Sequence, residues 1–371
     1  MSQTGFFHRH RFATLAVVVL TLLSSLLFGL EALLAWRAPE PAQPTHRAIR
    51  LREHKPRLDL DIPMPDQLLR DPDSLAQGSV HLAIDADGFI EPSKVHEEAD
   101  FTVVFLGGST TECLWVQEDN RFPFVAGRLL EESGAWEKVN SYNAGRSANH
   151  SLHSIAALLG KVLPLEPDVC VMMHNCNDLM VLLLGQTYWS TQIAFRNMIE
   201  ARRYRESVRS RASDLIRQLF PHILELFSPV QVADELAPLR GREITPDPEF
   251  IERNFRRSQV TFVNLCRTWG IRPVLMTQAN RITEQLDPQF ERLAQTVRHD
   301  FGQTYERYYQ LYHRMNEIVR EVGRELDVPV VDLAAAIPQT KEFVYDPYHL
   351  NDAGSRRAAE LIAEALRQLP R

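Results

Sequence analysis

Cysteine is scarce in this chain: four residues among 371, at positions 113, 170, 176 and 266. That is too few for a disulfide scaffold, and no Cys-x-x-Cys pair is present to suggest a zinc ribbon or a redox motif. An excess of basic charge is lacking too. Lys and Arg number 41 against 48 Asp and Glu, a net charge of −7, whereas nucleic-acid binding needs a basic face to neutralise phosphate. Gly and Pro stand at 16 and 22 residues, ordinary levels that exclude collagen-like and low-complexity chains. Neither GxxxxGK[ST] nor GxGxxG occurs, so no phosphate-cradling loop is indicated. No metal-ligand spacing is visible, and no cofactor is expected.

One long hydrophobic run is present. Phe12 to Trp36 reads FATLAVVVLTLLSSLLFGLEALLAW, with Glu31 as its single charge. About 20 apolar residues suffice to cross a bilayer as a helix. His8-Arg9-His10-Arg11 precedes the run, and the positive-inside rule keeps such a patch in the cytoplasm. A cleaved signal peptide usually carries an apolar run of only ~7–15 residues before a small-x-small site, and Leu33 to Ala38 offers a poor one. The expected layout is a cytoplasmic N-terminus over 1–11, a signal anchor over 12–36, a Pro- and charge-rich tether over 37–78, and a folded body over 79–371 outside the cytoplasm.

Within the body, VHLAIDADGFI alternates like a short hairpin turning at Asp85–Gly88. Five β-rich runs follow, separated by helical stretches: Thr102–Leu106, Val139–Tyr142, Val169–Met173, Pro273–Met276 and Val328–Leu333. Near-continuous apolar strands alternating with helices predict α/β architecture. The expected form is a flavodoxin-like three-layer α/β/α fold with a five-stranded parallel sheet. An insertion over about 186–255 interrupts it, far longer than a normal crossover. Ala194 to Phe227 reads as helical and carries Arg196, Arg202, Arg203, Arg205, Arg209, Arg211 and Arg217. Those arginines form either a solvated face or a basic lid facing anionic polymer or lipid.

Open α/β sheets bind ligands beyond the C-terminal ends of their strands. The first strand is followed by Gly107-Gly108-Ser109-Thr110-Thr111-Glu112, the second by Asn143-Ala144-Gly145-Arg146-Ser147-Ala148-Asn149, and the third by His174-Asn175-Cys176-Asn177-Asp178; after the fifth, a loop leading to the last helix carries Asp346-Pro347-Tyr348-His349-Leu350. A serine, backbone-exposing small residues, an asparagine and an Asp/His pair are the parts of an acyl-transfer site with an oxyanion hole. Singly, each has a plainer role. Ser109 can cap a helix, Asn177 a turn, Asp346 an Asx turn, and His349 can be structural.

The four blocks together resemble the SGNH hydrolase superfamily, the GDSL-type lipases and esterases, from about Phe101 onward. GGST stands where that family has GDS, DPYH matches its D-x-x-H, and HNCND matches G-x-N-D with Asn175 in place of glycine. The resemblance implies Ser109 as nucleophile, Asp346 and His349 as its partners, and Ser109 N–H and the Asn177 amide as oxyanion donors. The remaining donor is Gly145 or Ala148, depending on how the second block is counted; Gly145 is the favoured choice. The resemblance also implies an anchored serine esterase acting on a carbohydrate or lipid ester at a bacterial inner membrane, facing the periplasm. Two alternatives stand beside it: an O-acyltransferase for exported polysaccharide, and a non-catalytic polysaccharide-assembly protein. Cys113 and Cys176 fall within these blocks and are expected either as buried apolar residues or as a bridge fixing the loops. His174 is expected to be structural or substrate-facing.

Overall fold

The computed structural model describes residues 10–37, 51–64, 75, 78–185, 187–189, 216, 219, 220, 223, 245 and 247–369. The chain divides into two compact units, one of residues 1–43 with 201–234 and one of 44–200 with 235–371.

In the first unit, α1 (Arg11–Arg37) is 27 residues long with a mean hydropathy of 2.3 over its most apolar window. At 1.5 Å per residue that is about 40 Å, more than the ~30 Å of a hydrocarbon core. It is the one described helix long and apolar enough to cross a membrane. Glu31, its one internal charge, is buried and accepts the Ile223 N–H at 3.0 Å. Phe28 packs on Phe220 with ring centroids 5.0 Å apart. Ile216, Leu219 and Ile223 are helical; the rest of the stretch 194–227, apart from Phe220, lies outside the described residues, its seven arginines included.

The second unit is built on a parallel sheet of β3 (Phe101–Gly107), β4 (Val139–Asn143), β5 (Val169–Met173), β6 (Arg272–Met276) and β7 (Val330–Val331), in the order β4-β3-β5-β6-β7. That is the flavodoxin-like 2-1-3-4-5 order, with its switch point between β3 and β5. Successive side chains point to opposite faces of each strand, so the sheet feeds two cores. Val104, Leu106, Cys170 and Met172 pack with α4 (Ser151–Ala157), α5 (Cys176–Gly185), α6 (Pro248–Thr268) and α8 (Tyr305–Leu326). Val103, Phe105, Val171 and Met173 pack with α3 (Phe122–Glu132) and α10 (Asp352–Arg367). The helices start where their caps dictate. Asp247 caps α6 ahead of Pro248, Thr304 caps α8, and Asn351 caps α10 through the Gly354 N–H at 2.9 Å.

The tether expectation needs correcting. Residues 51–64 fold onto the body rather than spanning a gap. β1 (Asp59–Pro63) pairs antiparallel with β2 (Ser79–Ala83), His54 is buried, and Ile84 N–H donates to Leu58 O at 2.7 Å. The turn at Asp85–Gly88 forms as predicted, with Asp85 Oδ1 accepting the N–H groups of Asp87 and Phe89. The main partner of the Val80 strand, however, comes from upstream. Proline and charge masked that pairing, because edge strands tolerate both.

Candidate active site

β3 delivers Ser109 to the C-terminal edge of the sheet through two glycines that close packing requires. A Cβ on Gly107 would lie 2.9 Å from Met173 O, and one on Gly108 would lie 2.4 Å from Asn177 Nδ2. No side chain fits in either space. Ser109 opens a one-turn helix, α2 (Ser109–Glu112), which ends at Cys113 in the left-handed region, φ 53°. Ser109 Oγ lies 2.8 Å from His349 Nε2, and His349 Nδ1 lies 2.7 Å from Asp346 Oδ2. The other carboxylate oxygen, Asp346 Oδ1, accepts the N–H of Tyr348 at 2.7 Å and of His349 at 2.8 Å. The three residues meet in one continuous chain of contacts.

Their electrostatics are matched. Burial pushes the Asp346 carboxyl up, but His349 and the two backbone N–H groups outweigh it and hold it below its ordinary value. Burial pushes the His349 imidazole down, and the Asp346 carboxylate outweighs that and raises it. The ring stacks on Tyr345 at 5.7 Å and meets Tyr348 edge-on at 6.3 Å, which restricts its rotation.

A cavity of about 370 Å³ opens over Ser109, with His349, Asn177 and Ala148 on its wall. Leu114, Trp115, Val116, Met180, Tyr345 and Tyr348 make the rest of it mainly apolar. Asn177 begins α5 beside Cys176 and donates its amide to Asn149 O at 2.8 Å. Its second amide hydrogen remains available to the cavity.

Gly145 is not brought to this cavity. Its N–H donates to Asn143 Oδ1 at 2.9 Å, and a Cβ there would strike Glu112 N at 2.3 Å. The glycine is needed for close packing against α2. Ala148 occupies the place expected of Gly145: it lines the cavity at φ 64°, a left-handed conformation that costs an L-residue roughly 1–2 kcal/mol. Among the described residues nothing accepts the N–H of Ala148 or Ser109.

The cysteines are all free and buried, so the Cys113–Cys176 bridge does not form. Burial pushes both thiols up to about 12. His174 is structural. It contacts Ser154 Oγ at 2.7 Å, lies 3.6 Å from Asp178, and burial pulls it down to about 3, so the ring stays neutral. Asp178 is a buried acceptor for Ser151 and Tyr188, pushed up by burial to about 6. Among the described residues no group of three His, Cys, Asp or Glu could hold a metal.

Two polar residues to which the sequence reading assigns no role also belong here. Gln278, just past β6, donates to Thr110 Oγ1 at 2.8 Å and accepts from Tyr312 OH at 2.8 Å and Cys176 N at 3.1 Å. It joins the turn carrying Ser109 to the turn carrying Asn177. Glu112, one turn past Ser109, is fully buried among His54, Arg146 and Ser147. Its place in GGSTTE, an acid directly after the nucleophile block, was the available signal.

The sequence matches no known family profile and no curated protein. Solved structures similar to this chain include the acetyl xylan esterase AlAXEase, at 16% identity over 72% of this chain and 100% of that one, TM-score 0.42. The lipase/acylhydrolase from Enterococcus faecalis is similar at 16% identity, 72% and 95% coverage, TM-score 0.42. Axe2, an acetylxylan esterase from Geobacillus stearothermophilus, is similar at 14% identity, 73% and 96% coverage, TM-score 0.42.

Proposed function

We propose that this chain is a serine esterase of the SGNH type, held at a membrane by α1 with its body outside the cytoplasm. The observation that carries the reading is the contact chain Ser109–His349–Asp346, at 2.8 and 2.7 Å. His349 Nδ1–H donates to Asp346, which leaves Nε2 to accept the Ser109 proton as Oγ attacks an ester carbonyl. Negative charge then develops on the carbonyl oxygen. The N–H groups of Ser109 and Ala148 and the amide of Asn177 are the donors at hand, each worth roughly 3–4 kcal/mol in the transition state. His349 returns the proton to the leaving alkoxide, and water, activated by the same imidazole, releases the acyl group. The mainly apolar cavity suits the acyl portion of a carbohydrate or lipid ester, with Asp346 and His349 as the only carboxylic acid and the only basic side chain lining it among the described residues.

The test is covalent. The purified full chain, incubated with a fluorophosphonate probe, should label at Ser109 and hydrolyse p-nitrophenyl esters, and Ser109→Ala should abolish both at unchanged Tm. Labelling that persists in Ser109→Ala, or a parent chain that neither labels nor hydrolyses any ester from acetyl to octanoyl, rules the reading out.

A further inference from the structure

Glu112 is a buried carboxylate beside the nucleophile that the reaction itself does not use. Its side chain is completely inaccessible, and its three partners come from two separate stretches of chain. His54 Nε2 lies 2.8 Å from Oε1, the Arg146 guanidinium lies 3.4 Å from the same oxygen, and the Ser147 hydroxyl donates to Oε2. A carboxylate buried without partners is strongly disfavoured. Here burial pushes Glu112 up, but His54, Ser147 and Arg146 outweigh it and keep it ionised.

All three partners bear on one loop. Arg146 and Ser147 immediately precede Ala148, and residues 52–54 grip the same loop from its other side. Arg52 donates to Ser147 O at 3.3 Å, and Asn149 Nδ2 donates to Arg52 O at 3.2 Å. A non-glycine residue at φ 64° persists only where its surroundings over-determine it. The clamp supplies that constraint.

We propose that Glu112 is a positioning residue which, through Arg146, Ser147 and His54, holds Ala148 in its left-handed conformation on the cavity wall, so that residues 52–54 form part of the active-site structure. The proposal rests on the serine-esterase reading. It adds that oxyanion stabilisation depends on a segment 55 residues upstream of the nucleophile. Glu112 also acts through space on His349, whose imidazole it helps to raise. The other groups facing His349 are Asp346 in contact, the rings of Tyr345 and Tyr348, and the uncharged thiols of Cys113 and Cys176 on the cavity wall.

The experiment uses the full chain with Glu112→Gln, His54→Ala and His54→Gln, and counts competent sites by fluorophosphonate titration so that kcat is expressed per labelled serine. Glu112→Gln should lower kcat 10- to 100-fold with KM within threefold, and should move the acid limb of kcat/KM to lower pH, because a negative charge near His349 is lost. His54→Ala should give a similar kcat loss with no charge removed from Glu112, and His54→Gln, which keeps a polar group in the buried space 2.8 Å from Oε1, should recover most of it. Should Glu112→Gln fail to fold, Ser147→Ala removes a single hydroxyl and should still cost about fivefold or more in kcat. Values of kcat per labelled site within twofold of the parent, or losses explained wholly by fewer labelled sites, overturn the proposal while the labelled parent keeps the esterase reading. A parent that does not label defeats that reading, and this one with it.

Discussion

Asn177 donates its side-chain amide to the carbonyl oxygen of Asn149 across 2.8 Å, tying the loop after β5 to the loop after β4. Ser109 follows the strand between them, since β3 pairs with β4 on one side and β5 on the other. The donors proposed for a developing oxyanion therefore come from three adjacent strand ends at the switch point of the sheet, where ligands of such sheets bind.

Replacing Asn177 by Ala should lower kcat on the order of 10²–10³ with a small change in KM, as for loss of one oxyanion donor. It should also cost about 1–2 kcal/mol of stability, because the buried Asn149 carbonyl loses its partner. Steady-state kinetics beside thermal melts check both. A kcat within tenfold of the parent removes Asn177 from the site.

The two positions competing for the remaining N–H should respond differently. Gly145→Ala forces a Cβ to within 2.3 Å of Glu112 N and should lower stability by about 1–3 kcal/mol. Ala148→Gly should keep kcat within twofold, since glycine adopts φ 64° without strain. Ala148→Val, β-branched where φ is positive, should lower kcat at least tenfold. Unchanged kcat in Ala148→Val would return the donor role to another backbone position.

The pH dependence follows from the imidazole. His349 must be neutral to accept the Ser109 proton, and its folded value is raised above the ordinary 6.5. Activity should therefore fall as pH drops through a midpoint above 6.5. In Asp346→Asn the raising influence is gone, so the midpoint should move down while kcat falls on the order of 10⁴. A midpoint that stays put in Asp346→Asn contradicts the pairing.

Reductant should be without effect. All four cysteines are free and buried, and Cys113 and Cys176 are pushed up to about 12, so neither supplies a thiolate at neutral pH. Activity and Tm should match with and without dithiothreitol, and native protein should resist maleimide. A Tm that drops on reduction would reveal a bridge.

On the proposed topology, with the His8–Arg11 patch kept in the cytoplasm, a phosphatase reporter fused after Arg371 should be active in intact cells. Activity confined to lysates would invert the topology.

The parts of this site that could be read in the sequence are those encoded by short contiguous blocks. GGST and HNCND each sit directly after an apolar run, DPYH lies in the loop before the last helix, and the near-continuous apolar runs of β3 and β5 were visible in the sequence. What stayed hidden depends on distance or on backbone angle. Asn149 and Arg52 meet across 97 residues, and nothing local in a Pro- and Arg-rich stretch signals that partner. Ala148 carries no mark of its φ of 64°, a value for which glycine or asparagine would be the usual flag. Gly145 looked suited to an exposed backbone, yet its lack of a side chain serves contact with α2.

The hydrogen bond between Ser109 and His349 closes 240 residues of chain. Contacts of such high sequence separation are rewarded only after most of the loop-closure entropy has been spent. β3 and its two neighbours precede Asp346 and His349 in the chain and emerge first during synthesis, and the Asp346–His349 loop leads into α10, which packs on α3. Until that helix docks, Ser109 is an ordinary alcohol at a helix end. On the proposed mechanism, a chain truncated before Asp346 carries Ser109 without its base, and reactivity at that serine reports that the last stretch of chain has been made and docked.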